Sequence, residues 1–490
     1  MTDSSAAQGA GGAPGASRYK GKAIALAVAA AVGGFLFGFD SSVINGAVEA
    51  VQGQFELSGV VTGLVVAVAL LGSAAGAWLG GRLSDRWGRT RVMVLGAVLF
   101  FVSSVLSGFA FAAWDLAIWR VMAGVGIGIA SVIAPAYIAE IAPASMRGRL
   151  GSLQQLAITL GIFAALLSDQ LLATSAGGAA NELWLGLEAW RWMFLVCVVP
   201  AVVYGVLALR IPESPRYLVA QGRRDEARAV LADVQGADED PEQRVEQIEQ
   251  TIRKDEALAE QASLRGPALG LLPVVWVGIL LSVFQQFVGI NVIFYYSTTL
   301  WQAVGFEESQ SFLISTITAV TNVVVTFIAI ALIDKVGRRP LLLIGSAGMT
   351  LALGTMALAF TQASGTGENV TLDGSWGVIA LVAANAFVVF FGATWGPLVW
   401  VLLGEMFPNR IRAAALGVAA SAQWIANFVI TLSFPELLDR FGASVPYAMY
   451  ATFALLSFVF VLTKVPETKG VELEDMEGLQ VERRSRRASA

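Results

Sequence analysis

A carboxylate and a guanidinium lie inside long apolar runs, at Asp40 and Arg120. A charge at mid-bilayer costs roughly 2.5–3.5 kcal/mol on insertion scales, so one that is kept is a candidate for function. The chain has no histidine. Proton chemistry near neutral pH would therefore fall to carboxylates in altered surroundings. Uncharged amides recur in the same kind of run: Gln155, Gln285, Gln286, Asn291, Asn322, Gln423 and Asn427, with Tyr295, Trp400 and Trp424 among them. Amides donate and accept hydrogen bonds, and aromatic rings offer a flat apolar face. Together they suit a neutral, hydroxyl-rich ligand. Each amide alone is equally read as glue between helices inside a membrane.

The elements that carry these residues follow from composition. Of 490 residues, 56% are hydrophobic and 14% charged; the mean hydropathy is +0.67. A soluble protein has roughly a quarter charged residues. A spanning helix needs about 20 mostly apolar residues, so twelve would need about 240; the apolar supply covers that. A soluble enzyme, a disordered chain and a nucleic-acid module do not fit, and a net charge of −5 offers no basic stripe for phosphates. The single cysteine, Cys197, excludes an internal disulfide framework and a cysteine-cluster metal site. No metal or cofactor is implied.

Twelve apolar runs fall at 23–47, 59–80, 92–112, 116–139, 152–172, 192–211, 272–296, 311–333, 341–360, 377–403, 412–433 and 446–464. The first is too long for a signal-peptide core, and eleven more follow it. Lys and Arg collect in alternate loops, and loops 48–58, 297–310 and 361–376 have none. Cytoplasmic loops collect these residues, so both termini are expected in the cytoplasm. The expected parts are a disordered N-terminal tail (1–22), a six-helix bundle (23–211), a cytoplasmic helical linker (212–271), a second six-helix bundle (272–466) and a C-terminal tail (467–490).

Internal repeats set the architecture. Asp85, Arg86, Gly88 and Arg89 after span 2 match Asp334, Lys335, Gly337 and Arg338 after span 8, an offset of 249. Glu140 and Arg147 after span 4 match Glu405 and Arg412 after span 10, an offset of 265. Pro212-Glu213-Ser214 matches Pro466-Glu467-Thr468, an offset of 254, and Arg216 follows the first of these. The fold class is therefore all-α membrane protein, with twelve transmembrane helices in two pseudo-symmetric six-helix bundles. Parallel repeats of this kind belong to transporters whose halves rock about a central site. Carboxylates and arginines at helix ends can pair between helices and latch one conformation; positive-inside decoration is the plainer alternative.

With these motifs in order, the chain resembles the sugar porter family of the major facilitator superfamily over about residues 23–470. The matching segments are GGFLFGFD (33–40), GRLSDRWGR (81–89), PAYIAEIAP (135–143), PESPR (212–216), QQFVGIN (285–291), DKVGRR (334–339), WGPLVW (395–400), GEMFP (404–408) and PETKG (466–470). The resemblance extends to bacterial glucose permeases and to the xylose–proton symporter. The resemblance implies a membrane transporter, not an enzyme, working as a monomer in a bacterial inner membrane.

Depth arithmetic pairs the buried charges. Asp40 lies 17 residues into span 1, about 25 Å from the cytoplasmic side, while Arg120 lies about 7 Å down from the outside at 1.5 Å per residue. In a core of about 30 Å the two depths nearly coincide. A static ion pair and a proton-coupling carboxylate both fit. The resemblance favours coupling, since proton-coupled sugar porters carry an acid where Asp40 stands. Asp169 is expected as a vestibule surface charge. On an ideal helix Gln285, Gln286 and Asn291 do not share a face, so Gly289 is expected to break span 7. Gly392, Gly396 and Pro397 are expected to break span 10, because broken helices at mid-membrane are where transporters place sites.

The resemblance also matches Gln155, Gln285, Gln286, Asn291, Asn322, Trp400, Gln423, Trp424 and Asn427 to positions lining a central sugar site, with Phe37 an aromatic that touches it. Ile162 stands where the xylose symporter has a glutamine, which points to a hexose. The expected activity is proton-coupled uptake of a hexose, D-glucose first. The alternative is an uncoupled facilitator. A sugar sensor would be expected to carry a long soluble tail, and a primary pump would need a phosphate-binding loop. A drug–proton antiporter stays open on fold alone.

Overall fold

The computed structural model describes residues 14–142, 147–235, 240–260, 264–364, 372, 374–407 and 411–467. Expectations for 1–13 and 468–490 lie outside the described residues. The first bundle holds α1 (Pro14–Gln54), α2 (Gly59–Trp87), α3 (Arg89–Gly108), α4 (Ala113–Ile141), α5 (Arg147–Ala176), and α6 (Ala189–Val196) with α7 (Val198–Arg210), which form one span jointed at Cys197. The linker carries α8 (Pro215–Ala220), α9 (Arg224–Gln235) and α10 (Pro241–Glu260). The second bundle holds α11 (Pro273–Phe287), α12 (Ile290–Tyr295), α13 (Ser297–Ala303), α14 (Glu308–Val336), α15 (Arg338–Phe360), α16 (Gly374–Phe390), α17 (Gly396–Met406), α18 (Arg412–Phe441) and α19 (Ser444–Lys464). Two-residue and three-residue strands form hairpins at 182–188 and 265–271.

Among the described residues twelve helices are long and apolar enough to cross a membrane. They match the twelve apolar runs, with the first, second and eleventh running furthest past the ends of theirs, to Gln54, Trp87 and Phe441. The start of α1 at Pro14 carries helix into a stretch read from sequence as tail. There Lys22 pairs with Asp233 of α9, which holds the linker under the first bundle. The linker has its own small core of Leu218, Val219, Ala227, Leu231 and Val245.

Lipid offers no hydrophobic drive between spans, so close packing of small residues does the work. Gly72 and Gly76 of α2 meet Val121 and Val125 of α4 backbone to backbone, and Gly124 and Gly128 return the contact. Between the bundles α2 packs on α18 and α5 on α14. Below, the side carrying the arginine-rich loops is the basic face, and the other is the opposite face.

Candidate functional site

Asp40 on α1 and Arg120 on α4 meet inside the first bundle. Arg120 Nη1 donates to Asp40 Oδ1 at 2.8 Å, and the side chains are only 3% and 5% exposed, for Arg120 and Asp40 respectively. Arg120 Nε has no hydrogen-bond partner, and the guanidinium carbon stands 5.9 Å from the Phe194 ring. A small cavity is lined by Asp40 and Arg120 together with Phe37, Ser41, Ser73 and Tyr295. The buried ion pair and the aromatic centre therefore share one space.

Tyr295 comes from the second bundle through a break. Gly289 adopts φ 82°, ψ 20°, a left-handed conformation that costs a side chain, and a Cβ there would meet the Tyr450 ring at 2.5 Å. The chain stops as α11 at Phe287 and restarts as α12 at Ile290. This brings together amides that a straight helix would separate. Asn291 Nδ2 donates to Gln286 Oε1 at 2.5 Å, and Gln286 Nε2 lies 3.4 Å from Gln285 Oε1. Gln285 Nε2 donates to the carbonyls of Trp395 and Gly396, both at 3.1 Å. Those carbonyls sit at the end of a π-helical turn, Phe391–Trp395, just before Pro397. Such a widened turn is a frequent mark of function within helices.

From α18, Trp424 sets its ring edge-on to Phe37 of α1, with centroids 5.7 Å apart. Asn427 lies beside Tyr295, which also neighbours Ser41 of α1, and accepts from Thr431 at 3.1 Å. Gln423 Oε1 is buried without a partner. Asn322 sits against Gly392 at the widened turn. Gln155 is half-buried on α5, one turn from Thr159, whose hydroxyl is 3.2 Å from that of Thr326 on α14. Trp400 is 44% exposed, and no ring contact or hydrogen bond joins its side chain to the other centre residues. It is the sequence candidate least tied to them.

One sequence expectation is corrected. Asp169 is no surface charge: it is wholly buried on α5 against Gly46 of α1. The sequence shows a polar residue near a helix end; only the packing of α1 on α5 shows the side chain turned inward.

At the basic face the repeated motifs build the same cluster twice. Arg89 makes a two-pronged pair with Glu140, Nε to Oε2 at 3.1 Å and Nη2 to Oε1 at 3.0 Å. Arg338 makes it with Glu405, at 3.1 and 2.8 Å. Glu213 accepts from the amides of Arg89 and Thr90 at the start of α3, at 2.9 and 3.3 Å. Glu467 accepts from those of Arg338 and Arg339 at the start of α15, at 3.0 and 3.1 Å. A carboxylate at a helix N-terminus satisfies free amides and complements the dipole. Gly88 (φ 96°) and Gly337 (φ 104°) make the turns that bring these helix starts into place. Asp85 reaches Arg89 at 3.2 Å from an exposed position. The Arg86 carbonyl accepts from Tyr217 at 3.2 Å. Arg216 starts α8. The side chains of Arg147, Asp334 and Arg412 lie outside those described. Glu467 was absent from the sequence candidates, although its repeat partner Glu213 pointed to it.

The bundles touch through hydrogen bonds toward the opposite face. Thr298 donates its amide to Asn45 Oδ1 (3.0 Å) and its hydroxyl to the Asn45 carbonyl (2.8 Å). Thr316 donates to Gln170 Oε1 at 2.7 Å, and Ala179 donates its amide to Glu308 at 2.9 Å. This seam is closed.

Comparison with known proteins decides the family. Residues 26–479 match the family described as sugar (and other) transporter. The chain belongs to that sugar transporter family. It is 56% identical to the glucose transport protein of Synechocystis sp. over 91% of this chain and 95% of that one. It is 34% identical to the D-xylose-proton symporter of Escherichia coli strain K12 over 93% and 95%. The solved inward-open conformation of the E. coli xylose transporter superposes with a TM-score of 0.79, at 34% identity, over 93% of this chain and 99% of that one. The sugar transporter family and the twelve spans make this a multi-pass membrane transporter of the major facilitator fold, not an enzyme.

Proposed function

We propose that this sugar transporter is a proton-coupled symporter that brings a hexose, D-glucose first, into the cell by alternating access. The observation that carries it is the cavity shared by Asp40, Arg120, Phe37 and Tyr295. A proton on Asp40 releases Arg120 from its carboxylate contact, and the same space holds the aromatic that faces Asn427. Proton and sugar are then linked through shared walls, which is what a coupling free energy requires.

The sugar is held by Gln155, Gln285, Gln286, Asn291, Tyr295, Asn322, Gln423 and Asn427 through hydroxyls, with Phe37, Trp400 and Trp424 against its apolar faces. The relative at 56% identity is named for glucose, and Ile162 on α5, whose backbone packs against Gly38 of α1, stands where the resemblance puts a site residue. The clusters at Arg89 and Arg338 act as latches that hold helix ends while the closed seam forms. The basic face is cytoplasmic, both termini included, in an inner membrane, and one chain suffices. An uncoupled facilitator is the second reading; it rests on the ion pair being fully made, as a static pair would be.

The test is labelled D-glucose uptake into proteoliposomes with and without an inward proton gradient. Accumulation above the external level under the gradient supports symport. Mere equilibration under both conditions leaves the facilitator.

A further inference from the structure

Helices α1 and α5 meet along one stripe. Gly34 lies against Gln154, Gly38 against Ile158 and Ile162, and Gly46 against Asp169. Ser42 stands on the same stripe, four residues from Gly38 and four from Gly46. Asp169 is 0% exposed. Its Oδ2 accepts from the Gly46 amide at 3.3 Å, while its Oδ1 has no partner. Three other buried polar atoms nearby in the first bundle also lack one: Ser42 Oγ, Asn45 Nδ2 and Arg120 Nε. Cys197, at the joint of α6 and α7, lies near Asp40, Arg120 and Asp169 alike.

Buried polar atoms find partners, and water fits where two to four of them converge. Asp40 and Gly46 are six steps apart on α1, about 9 Å of rise and a third of a turn round the helix, and Cys197, which neighbours both acids, lies between the two ends of the gap that bound water would bridge. The far end of this path is one residue from the seam. Gln170, next to Asp169, accepts from Thr316, and Asn45, next to Gly46, holds Thr298. Parting the seam would open the path at Asp169. A carboxyl fully buried in a membrane helix without a cation beside it is a functional candidate in its own right.

We propose that Asp169 is a second proton-carrying group, which takes a proton from the opposite face when the seam parts and hands it through bound water to Asp40. The O–H bond of the Asp169 carboxyl breaks, the proton shifts along the hydrogen-bonded water, and an O–H bond forms on the Asp40 carboxylate as its hold on Arg120 loosens. No electron moves. The titratable and charged groups facing this path are Cys197 from the α6–α7 joint and Asp40 with Arg120 at its inner end. From α1 it meets Ser42, Asn45 and the Gly46 amide, all neutral. The inference rests on the proton-coupled reading.

Two measurements test it in proteoliposomes, with D-glucose as probe: gradient-driven accumulation and equilibrium exchange. Asp169→Asn keeps an acceptor for Gly46; it should keep exchange and lose accumulation. Infrared difference spectra across a pH titration should show a protonated-carboxyl band that persists in Asp40→Asn and vanishes in Asp169→Asn. Ser42→Ala, which leaves both acids in place, should slow gradient-driven uptake without slowing exchange, and serves if Asp169→Asn does not fold. Wild-type accumulation together with undiminished accumulation in Asp169→Asn, or undiminished gradient-driven uptake in Ser42→Ala, overturns the relay and leaves symport standing. Failure of the wild type to accumulate overturns both.

Discussion

Among the described residues Arg120 has one carboxylate contact, and its Nε has no hydrogen-bond partner. Removing one partner of a buried pair leaves the other charge uncompensated, at about 3–5 kcal/mol. Arg120→Ala and Asp40→Ala should therefore each lower the melting temperature in detergent, and Asp40→Asn, which keeps an acceptor for Arg120, should lower it less than Asp40→Ala. A melting point for Arg120→Ala equal to the wild type would show that Arg120 is not held in a buried pair. At the proposed sugar site, Asn291→Ala removes the donor to Gln286 and, on that proposal, a partner for a sugar hydroxyl. It should weaken glucose binding by about 1–3 kcal/mol, roughly 5- to 150-fold, as measured by calorimetry. Unchanged affinity would take Asn291 out of the site. The meeting of Asp40 with Arg120 was legible from depth counted in residues. The burial of Asp169 was not, because the residue type and its distance from the helix end are the same for a vestibule charge; only the rotation of α5 against Gly46 distinguishes them.

At the scale of elements, span 7 depends on the break at Gly289. Gly289→Ala faces a positive φ and a Cβ 2.5 Å from the Tyr450 ring. It should cost about 1–3 kcal/mol of stability and should also pull Asn291 from Gln286, so that binding falls with melting temperature. A variant with normal stability and affinity would mean that the break is not needed. The break of span 7 was legible, as a glycine inside an apolar run; span 10 does not break at Gly392–Pro397 but widens into a π-helical turn, Phe391–Trp395, with helical backbone on both sides. What these two places bring together was not legible. The amides of α11 and α12 converge through a left-handed turn whose direction the sequence does not state, and Gln285 is bound to carbonyls 110 and 111 residues away. The repeated clusters were legible as repeats, while the capping role of Glu467 needed the geometry of the α15 start.

For the whole molecule, the two bundles close along a seam at the opposite face through Asn45, Gln170 and Ala179 on one side and Thr298, Thr316 and Glu308 on the other. Alternating access requires that seam to part. Asn45→Ala removes the side-chain acceptor for the Thr298 amide, and spin-label distances across the seam should lengthen. Unchanged distances would mean that the seam is held elsewhere. Orientation is open to the same kind of test, since the sole cysteine, Cys197, is buried. A cysteine at the 88%-exposed Leu185 should react with an impermeant maleimide from outside intact cells, and one at exposed Gln221 only after lysis. The reverse pattern would invert the proposed topology. Span number was legible because lipid demands long apolar helices, and the uneven charges of the loops carry the proposed orientation.

Proton coupling is the central claim, and an internal pH dye in proteoliposomes reads it directly. Adding D-glucose outside, with no imposed gradient, should acidify the lumen for the wild type. It should not do so for Asp40→Asn, although that variant still exchanges labelled glucose. Glucose entry into wild-type vesicles without any acidification would contradict the account.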